Sequence, residues 1–276
     1  MPFQDVRVYP VRPSASASGR GGLGSGAEAP LAVPFQDVRV YRGLGSGVTD
    51  VSAVVFDVDG TIAKPGPELG PEGYRRAGER YGLTLDPLLY EQAREAALEG
   101  IARHPELEHD EEIWVAFAER IVRGLGGDGE AAHALAVEMT AAWEHSHNFD
   151  LYEDALPVFE EVRRCGLKIG LISNTGRDLD LFASHHGLEI DAAISSRVHG
   201  HTKPHPSIFL ALLDGLRVAP EAAAMVGDSL EDDVAGARGV GMQAFLLDRA
   251  DRHPEIEDRL TDLYALPAAL GLARPA

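Results

Sequence analysis

From Val51 onward the chain alternates between short apolar runs and longer segments of helical periodicity. Ser52-Ala53-Val54-Val55-Phe56 is a β-branched apolar run of the kind a strand buried on both faces carries. Residues 63–149 read as helices. Within them Asp86-Pro87 is an N-cap followed by proline at the first helical position, and Asp110 caps the next helix. Trp114, Phe117 and Ile121 share one helical face, as do Leu135, Met139 and Trp143, so both stripes predict core packing. After Asp150 the pattern alternates again. Helices are predicted over 152–164, 177–186, 204–216 and 230–238, and strands over 167–173, 192–195, 222–227 and 242–247.

Strand and helix in alternation imply an α/β fold, a parallel sheet flanked by helices. The 87 residues from 63 to 149 are too many for a loop, so they predict an inserted helical subdomain. The core then comprises residues 51–62 and 150–276.

The first fifty residues break this pattern. Glycine and proline make up 26% of them against 15% of the remainder, which predicts a mostly disordered low-complexity tail. Pro2-Phe3-Gln4-Asp5-Val6-Arg7-Val8-Tyr9 recurs verbatim as Pro34 to Tyr41, and Gly22-Leu23-Gly24-Ser25-Gly26 recurs as Gly43 to Gly47. Such identity reads as a recent local duplication, a mis-assigned start or an engineered scar. The alternation Val38-Arg39-Val40-Tyr41 also suits an edge strand or a partner-binding segment.

The charge is −19 from 25 Lys+Arg and 44 Asp+Glu, and the tail, with five Arg and four acids, contributes none of the excess. A body this acidic argues against nucleic-acid binding, which rests on neutralising phosphates with Lys and Arg. A small anionic substrate remains compatible, because screening leaves local cations to decide a site. No apolar run reaches the ~18 residues of a membrane span, and no basic-then-apolar signal layout opens the sequence. Cys165 is the single cysteine, so there is no disulfide framework, and a reducing cytoplasmic setting is expected.

In a parallel sheet ligands bind beyond the carboxyl ends of the strands, and four polar groups stand there. Asp57-Val58-Asp59-Gly60-Thr61 follows the first strand. Its two carboxylates at i and i+2 are costly together unless a cation, a proton or a reactant sits between them. Ser173-Asn174-Thr175 ends the second strand and offers hydroxyl, amide and backbone donors for oxyanions. Lys203-Pro204 contributes one of only three lysines in the chain. Gly227-Asp228-Ser229-Leu230-Glu231-Asp232-Asp233 follows a later apolar run, with more acid than a helix cap needs.

In order and spacing these groups resemble the four motifs of the haloacid dehalogenase superfamily over about residues 51–248, with Asp57 to Thr61 as the first motif, Ser173 as the second, Lys203 as the third, and Gly227-Asp228 with Asp233 as the fourth. The helical insert resembles the cap of its subfamily I, in the phosphoglycolate-phosphatase-like branch. The resemblance implies a Rossmannoid catalytic core with a helical cap. It also implies a Mg²⁺-dependent phosphatase acting on a small phosphorylated metabolite through an aspartyl-phosphate. Asp57 is then the nucleophile and Asp59 the general acid and base. Asp57, the backbone carbonyl of Asp59, and Asp228 hold Mg²⁺; Asp233 orients its waters, with Asp232 as the competing assignment. Ser173 and Asn174 bind phosphoryl oxygens, and Lys203 holds nucleophile and phosphate together. Asp59 and the acidic fourth motif favour phosphoryl transfer over 2-haloacid dehalogenation, which needs neither metal nor the second acid. Phosphonate hydrolysis, mutase activity and a non-catalytic binding role are also compatible with these residues.

Two further patterns have plainer readings. Gly124-Leu125-Gly126-Gly127-Asp128-Gly129 fits G-x-G-x-x-G but follows a helix, so it reads as an interhelical turn and not a dinucleotide site. Histidines pair as His145/His147 and His185/His186 and cluster as His199/His201/His205, without the thiols and spacing of a zinc site. His145 and His147 stand where the insert returns to the core, as surface, hinge or specificity residues.

Overall fold

β1 (Ala53–Phe56) is buried along its whole length, as its apolar run predicts. The computed structural model describes residues 51–101, 103–256 and 259–272; the tail and its duplicated segment lie outside them. Beyond β1 a tight loop leads to β2 (Ala63–Pro65), followed by α1 (Pro71–Arg80), α2 (Tyr90–Glu99), α3 (Glu111–Gly124) and α4 (Gly129–Ala142). β3 (Phe149–Leu151) returns antiparallel to β2, with Ala63 opposite Leu151. Then come α5 (Ala155–Arg164), β4 (Lys168–Ser173), α6 (Leu179–His186), β5 (Ala192–Ser195), α7 (Ser196–His199) and α8 (Pro206–Leu216). β6 (Ala223–Gly227) precedes a π-helical stretch, Leu230–Ala235, that runs into α9 (Gly236–Gly239); β7 (Gln243–Leu246) and α10 (Leu266–Ala269) follow.

The five longer strands form one parallel sheet in the order β5-β4-β1-β6-β7. This is the α/β class expected from the sequence. Chain order runs outward from β1 through β4 to β5, then jumps back across β1 to β6. In sheets of this kind the reversal marks the carboxyl edge beside β1, where the loops after β1, β4 and β6 converge, as the place where ligands bind. Phe56 is level with Leu171 on one side and Val226 on the other, so the residues that follow these strands emerge together. Alternate side chains feed two cores. Val54 and Phe56 pack with Phe159, Ile169 and Leu171 on one face, while Val55 packs with Ile208, Leu212 and Met225 on the other.

The predicted caps form. Asp110 accepts from the Glu112 amide at 2.9 Å, and Asp86 accepts from Leu88 at 2.9 Å above a short 3₁₀ turn. Phe117, Ile121, Leu135 and Met139 are buried as their stripes predicted. Gly124 to Gly129 is the turn between α3 and α4. Several boundaries move. Residues 63–65 and 149–151 are strands where helix or connection was expected, because three residues are too few to display a period of two. The helix expected from residue 152 begins at Ala155, and the one expected from 177 begins at Leu179, capped by Asp178. Residues 230–235 are π-helical where an ordinary helix was expected. No helix among the described residues is long and apolar enough to cross a membrane.

Candidate active site

The loop after β1 is closed by its own backbone: the amides of Thr61, Ile62 and Ala63 all donate to the Val58 carbonyl, at 3.3, 3.0 and 3.0 Å. That winding points Asp57 inward and requires a positive φ of +88° at Gly60. A β-carbon at Gly60 would also sit 2.4 Å from an Asp228 oxygen, so glycine is what lets the first and last acidic loops approach.

Asp57 is buried, and Thr61 Oγ1 donates to its Oδ2 at 3.0 Å. Lys203 Nζ donates to Asp57 Oδ1 at 2.6 Å and to Asp233 Oδ1 at 2.7 Å. Asp233 also accepts from the Ser229 amide at 3.0 Å. The π-helical geometry turns it inward: the amides of Asp233 and Val234 share the Ser229 carbonyl, each at 3.1 Å. Gly227 leaves room for the result, since a β-carbon there would come 2.2 Å from the Asp233 carboxyl carbon. Asp232 faces the other way and pairs with Arg103 of the helical insert at 2.5 Å. Of the two adjacent acids, Asp233 therefore belongs to the buried cluster and Asp232 to the contact between insert and core.

Asp57, Asp228 and Asp233 each offer an oxygen within 4.8 Å of the others, the one such grouping of metal-ligating side chains among the described residues. Burial pushes the Asp57 carboxyl well above the usual carboxylate range; Lys203 opposes this, and Asp233 and Asp228 add to it. Burial, then Asp233, raises Asp228 to about 6. Burial by itself would lower Lys203, but Asp233 and Asp57 reverse this and hold the ammonium charged. Three carboxylates face the Lys203 ammonium and, at 3.9 Å from Asp228, the more exposed Arg252 guanidinium; the excess of carboxylate oxygens is the donor chemistry of a hard divalent cation.

Asp59 lies outside that triad. Its carboxylate faces Arg177, whose Nη1 and Nη2 reach Oδ1 at 3.1 Å each, with Nη2 also 3.3 Å from Oδ2. Ser173 Oγ, at the end of β4, is 3.5 Å from Asp59 Oδ2. Asn174 was expected to hold phosphoryl oxygens, but both ends of its side chain are engaged with the Lys203 main chain. Oδ1 accepts from the Lys203 amide at 2.6 Å, and Nδ2 donates to its carbonyl at 3.1 Å. Its visible effect is to fix the lysine.

Reading the sequence missed Arg177, which is only 1% exposed. Arginine is ordinarily a surface residue, and the one available signal was its place four residues after Ser173. The contacts between insert and core were missed as well. Arg197 bridges Glu111 and Glu144, Thr202 donates to the Leu107 carbonyl at 2.7 Å, and His109 meets Ser196 at 2.8 Å. Of the histidine groups, none joins a metal-ligating cluster of three or more among the described residues. His145 and His147 stack at 5.4 Å on the exposed return from the insert.

A buried Asp57 and a half-buried Asp59 on the β1 loop, a buried lysine and an acidic loop meet at one sheet edge, and the family model of haloacid dehalogenase-like hydrolases matches residues 51–241. The chain belongs to that family. It is 31% identical over 230 residues to phosphatase MT3486 of Mycobacterium tuberculosis, covering 82% of this chain and 99% of that one. It is 28% identical over 226 residues to the glyceraldehyde 3-phosphate phosphatase of Methanopyrus kandleri, covering 77% and 91%. The crystal structure of a phosphatase of this family from Thermococcus onnurineus superposes with a TM-score of 0.56 at 31% identity, covering 82% of this chain and all of that one.

Proposed function

We propose that this hydrolase is a Mg²⁺-dependent phosphatase of a small phosphorylated metabolite, working through an aspartyl-phosphate on Asp57. One observation carries the reading: Asp57 converges with Asp228 and Asp233, while Asp59, two residues on, is held apart from them on a different partner. A nucleophile beside a cation site, with a second carboxylate kept out of that site and part-exposed for proton transfer, is what phosphoryl transfer needs and halide displacement does not. The phosphatase names of its relatives agree with it.

In this reading Asp57 attacks phosphorus as the bond to the leaving oxygen breaks, and Asp59 gives that oxygen its proton. Asp59 then takes a proton from the water that displaces Asp57. Lys203 offsets the repulsion between carboxylate and phosphate, and Ser173 donates to a phosphoryl oxygen. Asn174 holds Lys203 in place and leaves its own backbone amide for the phosphate. Asp57, Asp228, Asp233 and the Asp59 carbonyl hold the Mg²⁺, which supplies positive charge to the phosphoryl oxygens when bound. Residues 63–149 act as a cap over the core, selecting the substrate and excluding water. The half-buried, unpaired Cys165 suits a reducing cytoplasmic compartment.

The test is phosphate release from sugar phosphates, phosphoglycolate, nucleotides and p-nitrophenyl phosphate, with Mg²⁺ and with EDTA. Turnover of at least one ester that EDTA abolishes and excess Mg²⁺ restores is expected. Undiminished turnover in EDTA would overturn the metal requirement, and halide release from a 2-haloacid would replace the reading altogether.

The cation site has its own signature in stability. The folded-state pKa of Asp228, about 6 against an ordinary 3.8, means that the folded protein binds the proton more tightly than the unfolded chain. Its contribution to stability without metal is therefore full below about pH 4 and is lost as pH rises through about 6. Asp228→Asn should raise the metal-free melting temperature at pH 8 by roughly 2–5 °C and remove the further rise that Mg²⁺ gives the wild type. A lower melting temperature in that variant, or an unchanged response to Mg²⁺, would contradict the assignment.

A further inference from the structure

We infer that Arg177 is the positioning residue of Asp59, fixing where its carboxylate stands relative to the end of the last cap helix; the inference rests on the phosphatase reading above. Arg177 is buried, while the Asp59 side chain keeps 30% of its surface exposed, so the guanidinium lies behind the carboxylate and not in front of it. Its Nε donates to the carbonyl of Trp143, at the end of α4, at 3.2 Å. Its Cζ lies 3.6 Å from the centre of the Phe149 ring in β3 and 5.3 Å from that of Phe182 in α6. The arginine thus touches the insert's last helix, the returning strand and the core at once, and presents its remaining edge to Asp59.

The direction of that edge matters. Two of the three contacts fall on Asp59 Oδ1. Oδ2 keeps only the longer 3.3 Å contact with Nη2 and faces Ser173 Oγ at 3.5 Å, so it is the oxygen better placed to carry a proton to a leaving group. A planar fork fixed on three sides orients a carboxylate in a way that the single point charge of a lysine cannot. A displacement of the α4 terminus would be passed through Nε to the orientation of Asp59, so the place of the proton donor depends on the place of the cap.

The test compares kcat/KM, which reports the steps through phosphorylation of Asp57, for two esters. The leaving group of 2,4-dinitrophenyl phosphate departs without a proton, whereas that of phenyl phosphate benefits from one. Arg177→Lys should lose about 10- to 100-fold on phenyl phosphate, within the range of general acid catalysis, and less than about 3-fold on the dinitrophenyl ester. In an Asp59→Asn background the same change should cost little more, because the two residues act as one unit. Equal losses on both esters, or full additivity with Asp59→Asn, would overturn the inference. Arg177→Gln is read by the same ratio if the lysine variant does not fold, and failure of both to fold would make Arg177 a purely structural residue. Absence of phosphate release by the wild type, or undiminished release by Asp57→Asn, would instead defeat the phosphatase reading.

Discussion

Asp57→Asn is expected to lower phosphate release from p-nitrophenyl phosphate by about 10⁴-fold or more, with the fold unchanged. The side chain keeps its volume and both of its contacts. The amide oxygen still accepts from Lys203, and the new NH₂ group donates to Thr61 Oγ1, whose hydroxyl can reverse its role. What disappears is the anionic oxygen that attacks phosphorus. Removing one of three crowded carboxylates also relieves repulsion, so the metal-free variant should melt at or above the wild-type temperature. The measurement is phosphate release alongside a thermal melt, and a folded variant that keeps even a tenth of wild-type turnover would end the nucleophile assignment.

Lys203→Met is expected to damage both activity and folding. Its ammonium is the only side-chain donor to Asp233 and one of two to Asp57 among the described residues. Removing it leaves two buried carboxylates without their cation. Breaking a buried pair from one side typically costs about 3–5 kcal/mol, or roughly 10 °C in melting temperature for a domain of this size. Loss of a preorganised charge at the reacting group should lower turnover by about 10²- to 10³-fold. The pH dependence has a definite sign. Burial already raises Asp57, and without the lysine opposing it the folded state binds its proton still more tightly. The stability of the variant should therefore rise as pH falls through the folded-state pKa and decline as pH rises. Denaturation followed from pH 5 to pH 8 checks this. A melting temperature within about 2 °C of wild type at pH 8 would mean that the ammonium is not what neutralises the cluster.

Much of this site was legible in the chain alone. Asp57, Ser173 and Asp228 each stand next to an apolar strand, and a parallel sheet brings such positions to one edge whatever its helices do. Glycines 60 and 227 were also visible, and the structure gives each a steric reason. Less could be read where a role depends on packing across the chain. Asp232 and Asp233 are the same residue type side by side, and only the wide π-helical turn sends one to Lys203 and the other to Arg103. Asn174 looked like a phosphate ligand, but its amide is matched to the main-chain N–H and C=O of Lys203, 29 residues away. Strands β2 and β3 are too short to leave a pattern.

By itself, then, the sequence determined the α/β class, the helical character of most of residues 63–149 and the identity of the acids and lysine that follow the strands. Those follow from local periodicity and from short motifs, both of which survive without knowledge of neighbours. Only the tertiary structure decided which carboxylates converge, which one stands apart, and that Arg177 lies buried between Phe149 and Phe182 beside Asp59. The reason is physical: a charge is tolerated inside a protein when partners distant in sequence surround it, and those partners exist only once the chain has folded.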